Sequence, residues 1–544
     1  MKFKEGNKMT LDTLLYNGEF HSMDDTNSIY EAMGIKDGKI SFLGKDKEAG
    51  EIEAKEKIDM KGKLVLPGFV DTHLHAMDYA ETKKFIRLNG SNSVDEVIKR
   101  GKEHYSKHGL YKGWLIGWGW NQADFEDGNE FIYKKDLDKI STDYPIILVR
   151  VCGHVAVTNS KAMELIIKNG VPEEDMEYID TEKGILRESA VTIYRKILEK
   201  PTVENIKDMI LTVQEDFLKE GITQVHSADY FSAVPEEDWE KVIIAYTELE
   251  KAGKLKVRTY EQCMFFVYEN FEEFIDKGYR TGQGGEYFKI GPLKVISDGS
   301  LGARTAYMNE PYSDDPSTRG IQVLDEKQLR KFFTKAKENN MQVAVHGIGD
   351  GAIEIAADIL NEVNKDDLSN PMRNGIVHAQ ITNERILDKM VKGNITAYIQ
   401  PVFIEDDMEV AEARLGKERV ATSYVWKTML DKGIHISGGS DSPVVSFSIM
   451  ENIYFAVTSK NKKGLPKEGW MPAQRLSIDE AVRLFTINAA YQSFEENIKG
   501  TLEIGKYADI VGLEKNIYNI PKDEIKDVKI SFTMVNGETV YKKD

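Results

Sequence analysis

His73 and His75 stand one residue apart in Asp71-Thr72-His73-Leu74-His75, at the end of the apolar run LVLPGFVDTH. Side chains alternate along a strand, so both imidazoles point to one side, where a single metal ion takes both. A pair of this spacing also arises by chance, and a lone histidine on an apolar strand is often a hydrogen-bonded core residue. Four further apolar runs, however, finish in a group that can ligate: Lys294 in PLKVISDGS, His346 in VAVHGIGD, His378 in GIVHAQ and Asp441 in SGGSDSP. Imidazole suits zinc, iron and nickel alike, and carboxylates also admit manganese; zinc is the expected ion. A divalent ion lowers the pKa of bound water toward about 7 and polarises a carbonyl, which makes hydrolysis feasible near neutral pH.

Groups this far apart in the chain must be gathered by the fold. Short apolar strands alternate with longer helical stretches, the pattern of a parallel sheet with crossover helices. The strands are LVLPGFVDTH, ITQVHSA, KVRTYEQCM, IGPLKVIS, MQVAVHG, GIVHAQ, ITAYIQP and GIHISGGSD. Eight of them predict an α/β chain built on a (β/α)8 barrel over residues 66–499, with the ligands on the face where the strands end. A large insertion, from about residue 76 to 200, separates the first and second strands. It carries WLIGWGW and YPIILVRVCGH and is expected to cover the site. Residues 1–65 and 500–544 instead read as short strands punctuated by turns, with Asp37-Gly38 and Asn536-Gly537 as hairpin turns.

Composition narrows the function classes. Of 544 residues, 41% are hydrophobic, so a large core can form, and 72 Lys plus Arg against 90 Asp plus Glu give a net charge of −18. That charge makes nucleic acid an improbable partner and leaves a small molecule as the expected one. Two cysteines, Cys152 and Cys263, are too few for a disulfide framework, and no stretch reads as a signal peptide or a membrane span. A cytoplasmic protein without membrane association is expected.

The string Pro67-Gly68-Phe69-Val70-Asp71-Thr72-His73-Leu74-His75, the later His346, His378 and Asp441, and the ending GTLEIGKYADIVGLE with a final VNGETVY resemble the amidohydrolase superfamily along nearly the whole chain. Within it, LKVISDGSLGARTA and CGHVAVTNSKAM look like the branch that contains N-substituted formamide deformylase. The resemblance implies a barrel with a composite β-sandwich built from both termini. It implies that His73 and His75 bind one metal ion, His346 and His378 a second, and that Asp441 ligates the first while moving protons. Lys294 would bridge the two ions. A protonated ammonium has three donors and no acceptor, so bridging requires the N6-carboxylated (carbamylated) form; the alternative is an ordinary salt-bridging lysine. The implied activity is hydrolysis of an amide or formamide-like C–N bond, other than a peptide bond, by metal-bound hydroxide with Asp441 as general base and then acid. A homodimer is implied on the same ground.

Other residues are candidates for substrate contact. Asp298 and Arg304 follow Lys294 in SDGSLGARTA and either grip substrate or form a loop ion pair. His154 in CGHVAV either polarises a carbonyl or sits in the core. Trp114, Trp118 and Trp120 have an even spacing that places all three on one strand face, where they line a pocket, with Trp118 the candidate contact, or pack within the insertion. Arg187 and Glu188 join the same group as pocket lining. Two other activities fit the same barrel, deamination of an aminoheterocycle and hydrolysis of a cyclic amide, and a non-catalytic binding protein is a third alternative. Deaminases on this scaffold resemble one another in placing a glutamate soon after the ligand histidine, whereas His346 is followed by Gly347-Ile348-Gly349-Asp350.

Overall fold

The computed structural model describes residues 10–126, 131–151 and 155–543. Strands covered on both faces need apolar side chains at nearly every position, and the runs named above have that texture. All eight form strands: β1 (Phe69–Leu74), β2 (Ile222–Ser227), β3 (Arg258–Met264), β4 (Phe288–Ile296), β5 (Val343–Gly347), β6 (Gly375–His378), β7 (Thr396–Ile399) and β8 (Ile436–Gly438). They pair in chain order as one parallel sheet. The sheet curls until its edges nearly meet. Thr72 Oγ1 donates to Gly438 O at 2.9 Å, and the Asp441 N–H donates to His73 O at 2.7 Å. The first apolar run divides, since Leu64–Pro67 pairs with Glu19–His21 and Ile510–Leu513 in another sheet and only Phe69 onward enters the barrel.

Helices return the chain between strands, as a parallel sheet requires. Glu326–Glu338 is typical. Asp325 accepts from Gln328 N at 2.8 Å while the Gln328 side chain accepts from Asp325 N at 2.9 Å, a reciprocal start that satisfies two donors. Leu329, Phe332, Phe333 and Ala336 then fall on one buried face.

By contact the chain divides into two compact units, residues 1–78 with 207–544, and residues 79–206. The first holds the barrel and two further sheets. A six-stranded sheet runs in the order Glu538–Lys542, Ile530–Val535, Ile510–Leu513, Leu64–Pro67, Glu19–His21, Ile29–Tyr30, so three C-terminal strands adjoin three N-terminal ones where Ile510–Leu513 pairs with Leu64–Pro67. A four-stranded sheet contains Leu11–Tyr16, Ala32–Lys36, Lys39–Gly44 and Ala54–Asp59. Leu15, Met33, Ile35 and Ile40 of the smaller sheet share one core with Phe20, Val65, Ile510 and Met534 of the larger. Both expected hairpins form with positive φ at each turn residue, 50° and 74° at Asp37-Gly38 and 51° and 78° at Asn536-Gly537, the geometry that matches strand twist. Among the described residues no helix is long and apolar enough to cross a membrane.

The second unit is built on its own six-stranded sheet, in the order Ile179–Asp180, Ile185–Arg187, Val155–Thr158, Ile146–Arg150, Leu115–Trp120, Ile86–Arg87. Each face has a separate core, and these correct the tryptophan reading. Trp114 packs with Ile116 on one face, Trp120 with Leu115 on the other, and Trp118 is 42% exposed. The ladder shifts register between Trp118 and Trp120, where Gly119 has φ +98°, and a bulge of one residue turns every later side chain to the opposite face.

Candidate metal centre

The strand ends carry the site. His73 lies near the end of β1 with His75 just beyond it, Lys294 and His346 near the ends of β4 and β5, His378 at the end of β6, and Asp441 three residues past β8. His73 Nε2 and His75 Nε2 each approach Asp441 Oδ1 at 3.3 Å. Ligand atoms of His73, His378 and Asp441 all lie within 4.8 Å of one another. The His378 ring therefore stands against the pair that the family resemblance assigns to a different ion. His346 adjoins it, with ring centroids 4.5 Å apart. All six side chains are buried or nearly so. β8 can pass this close to β1 because position 439 is glycine: a Cβ there would sit 2.7 Å from His73 N.

Each imidazole has one nitrogen already engaged, which fixes the other as the available ligand atom. His73 Nδ1 pairs with Gln262 Oε1 at 2.6 Å, His75 Nδ1 with Ala228 O at 2.9 Å, and His378 Nδ1 with Gln400 Oε1 at 2.7 Å. These three rings present Nε2. His346 is turned the other way, its Nε2 lying 3.2 Å from Gly299 O and 3.3 Å from Asp298 Oδ1, so Nδ1 is its free nitrogen. Partners of this kind set ring orientation and raise ligand basicity.

Electrostatics favour metal binding. Burial, reinforced by Lys294, pulls the His73 imidazolium down to about 4, and burial with the neighbouring His346 holds His378 well below its ordinary value. Both rings are neutral, as ligation requires. Burial opposes the charge on Asp441, yet the adjoining His73 and His75 outweigh it and keep the carboxyl well below the usual range. Burial also draws Lys294 down to about 8, against the pull of Asp441 and Asp298. Asp71 accepts from His73 N at 3.1 Å and Ser440 N at 3.0 Å, tying the first strand to the last beneath the ligands.

The structure thus brings together His73, His75, Lys294, His346, His378 and Asp441. The weaker candidates fare differently. Asp298 is buried, but its carboxylate is filled by Tyr307 N at 2.9 Å, Ile348 N at 3.1 Å and Gly349 N at 2.8 Å besides His346; it positions a ligand. Arg304 makes a two-point pair with Asp314, at 3.1 and 2.9 Å, which Arg414 also joins. His154, like Cys152, lies outside the described residues. Sequence reasoning passed over Gln262 and Gln400, although both are polar groups at strand ends, the same signal that marked the ligands. It also passed over two aromatic rings: Phe231 lies 5.2 Å from His75, and Phe403 stacks on His378 at 5.7 Å.

Residues 56–541 match the model of the amidohydrolase family, Amidohydro_3. YtcJ of Bacillus subtilis (strain 168) is 31% identical over 530 residues, covering 96% of this chain and 97% of that protein. N-substituted formamide deformylase of Arthrobacter pascens is 23% identical over 98% of each. Among solved structures, an uncharacterized metal-dependent hydrolase of Pyrococcus horikoshii OT3 superposes with a TM-score of 0.79 at 28% identity, covering 94% of this chain and 99% of that one. Matched from the last strands before the barrel to the final hairpin, the chain belongs to the amidohydrolase family.

Proposed function

We propose that this chain is a metal-dependent amidohydrolase that cleaves an amide or formamide-like C–N bond of a small molecule. The observation that carries the reading is the placement of one ionised carboxylate, Asp441, 3.3 Å from the free Nε2 atoms of two pre-oriented histidines. The likeness to N-substituted formamide deformylase supports the choice of bond.

The donor set fits a divalent ion, with zinc the expected one: His73, His75 and Asp441 would hold one, His346 and His378 a second, and carbamylated Lys294 would be shared between the two. When bound, such ions supply Lewis acidity to the scissile carbonyl and lower the pKa of water. The protein residues do the rest. Asp441, ionised and facing the ligand atoms, takes a proton from the attacking water and returns it to the departing nitrogen, so the amine leaves neutral. Lys294, drawn toward neutrality by burial, offers its amine to carbon dioxide; the carbamate forms with loss of one proton and gains the two oxygens that bridging needs. Phe231 and Phe403 flank the outer ligands and offer apolar walls to a substituent on the substrate. A chain of net charge −18 suits a small-molecule substrate rather than nucleic acid.

The test is amine release from a panel of N-formyl and longer N-acyl amines, with zinc- or manganese-loaded protein in bicarbonate buffer. Turnover within one series supports the reading and fixes the acyl preference. Silence across the panel with metal bound, and ammonia release from aminoheterocycles or ring opening of cyclic amides instead, overturns the choice of bond.

A further inference from the structure

We propose that Asp229 is a positioning residue for the metal centre, holding in place the loop whose carbonyl aims His75 at the ion. The inference rests on the metal-centre reading above and extends it to a residue that touches no ligand. β2 ends at Ser227, and the next residue, Ala228, accepts the hydrogen bond from His75 Nδ1 at 2.9 Å. A carbonyl orients a ring only as well as its own segment is fixed. That segment is fastened to the chain leaving β1 at three successive points: Ala228 N donates to Leu74 O at 2.8 Å, Ala76 N to Ser227 Oγ at 2.9 Å, and Met77 N to Asp229 Oδ1 at 3.3 Å. Asp229 closes the set. It also accepts from Ser227 Oγ and, at 2.8 Å, from Tyr246 OH on the helix Trp239–Lys251.

Asp229 is fully buried, and among the described residues none of these partners is a cation. Its remaining neighbour is a second buried acid, Glu261 on β3, whose Oε1 accepts from Asp229 N at 3.1 Å. Burial raises both carboxyls above the ordinary range. Burial and the charge of Asp229 push Glu261 far above the ordinary range, while its hydrogen bond with Asp229 is the one accepted from the backbone N–H. The Asp229 side chain is satisfied by two hydroxyl donors and one backbone amide.

Zinc affinity by chelator competition and the visible spectrum of the cobalt-substituted protein test this in the full chain. Removal of an outer partner of a ligand histidine costs about 10- to 100-fold in affinity. Asp229→Ala should therefore weaken the first zinc about tenfold, at the lower end because it acts through Ala228, and should shift the cobalt bands. Glu261→Gln, whose side-chain carbonyl still accepts from Asp229 N, should leave both close to wild type. If Asp229→Ala does not fold, Tyr246→Phe, which removes one donor and leaves the carboxylate, should give a smaller loss of the same kind. Wild-type affinity and an unchanged cobalt spectrum in the Asp229 or Tyr246 variant overturn the proposal, and a loss in Glu261→Gln equal to that in Asp229→Ala overturns its division of roles. Failure of the unmodified protein to bind zinc or cobalt overturns the metal-centre reading itself.

Discussion

Replacing Asp441 with asparagine removes a charge and little else. The residue has φ +63°, a left-handed conformation that aspartate and asparagine adopt more readily than other residues bearing a Cβ. Its N–H still donates to His73 O. Alanine at the same place would add backbone strain on the order of 1 kcal/mol or more, so asparagine is the cleaner probe. Wild-type Asp441 is an anion at neutral pH, its carboxyl held well below the usual range by the adjoining His73 and His75 despite burial. The amide keeps the size and shape of the carboxylate but cannot take a proton from water. Losing general acid–base catalysis costs about 10²- to 10⁴-fold in kcat, or about 2.7 to 5.4 kcal/mol at 1.36 kcal/mol per decade. The assay is kcat and kcat/KM for amine release, with zinc content and the unfolding transition measured on the same preparation. We expect a folded variant that turns over at least about a hundredfold more slowly at full zinc occupancy. A zinc-replete variant at the wild-type rate refutes the proton-transfer role. Activity that falls with zinc content and returns fully in excess zinc leaves Asp441 as a ligand only.

Lys294→Ala should lower bound metal from about two ions per chain toward one and abolish the bicarbonate dependence of activity; unchanged metal content, read by elemental analysis, would favour a single-ion centre. Phe231 is 46% exposed beside His75, and Phe231→Ala should raise KM more for N-aryl than for N-methyl substrates with kcat little changed; equal effects on both would remove it from the pocket. At the opposite end of the barrel, Glu495 joins Lys289 at 2.5 Å, Lys499 at 2.6 Å and Gln224 at 2.8 Å. Burial opposes its ionisation, but the two lysines prevail and lower its pKa from the ordinary 4.5. A depressed carboxyl stabilises the fold above its unfolded pKa, and that contribution fades as pH falls through 4.5 toward the folded value. Glu495→Gln should thus cost about 3 to 5 kcal/mol at pH 7, where it strands buried Lys499, and progressively less toward pH 3, read by urea unfolding across pH. A pH-independent difference would contradict the assignment.

The candidate ligands were legible because a basic or acidic group closing an apolar strand is costly unless something uses it. His73, His346, His378, Lys294 and Asp441 share that feature, and the eight-strand pattern explains why such distant positions meet. The tryptophans show where pattern reading stops. Even spacing predicts one face only if the strand is regular, and a single glycine with positive φ between Trp118 and Trp120 breaks that condition. Asp298 and Arg304 look alike in sequence, two charged residues on a glycine-containing loop. One is consumed by three backbone amides and a ligand histidine, the other by Asp314. Two of those backbone amides, at Ile348 and Gly349, lie 50 and 51 residues away and leave no mark in composition, so these roles could not be separated before the fold was known.

What makes the centre a site, rather than a cluster of histidines, is the layer that aims them, and that layer accounts for the strands without ligands. β2 supplies the Ala228 carbonyl to His75, β3 supplies Gln262 to His73, and β7 supplies Gln400 to His378. Every strand of the barrel therefore ends in either a ligand or the group that orients one. Glutamine suits the orienting role because its carbonyl accepts the imidazole N–H without charge and its amide is left to donate elsewhere, as Gln262 does to Thr72 O at 2.9 Å and Gln400 to Tyr398 O at 3.1 Å. A glutamate there would pull its histidine toward the protonated state and compete with the metal for charge. Neutral acceptors hold the rings of His73, His75 and His378, with the carboxylate of Asp298 reserved for His346, and leave Asp441 as the carboxylate that faces the ligand nitrogens of His73 and His75 and is free to exchange a proton.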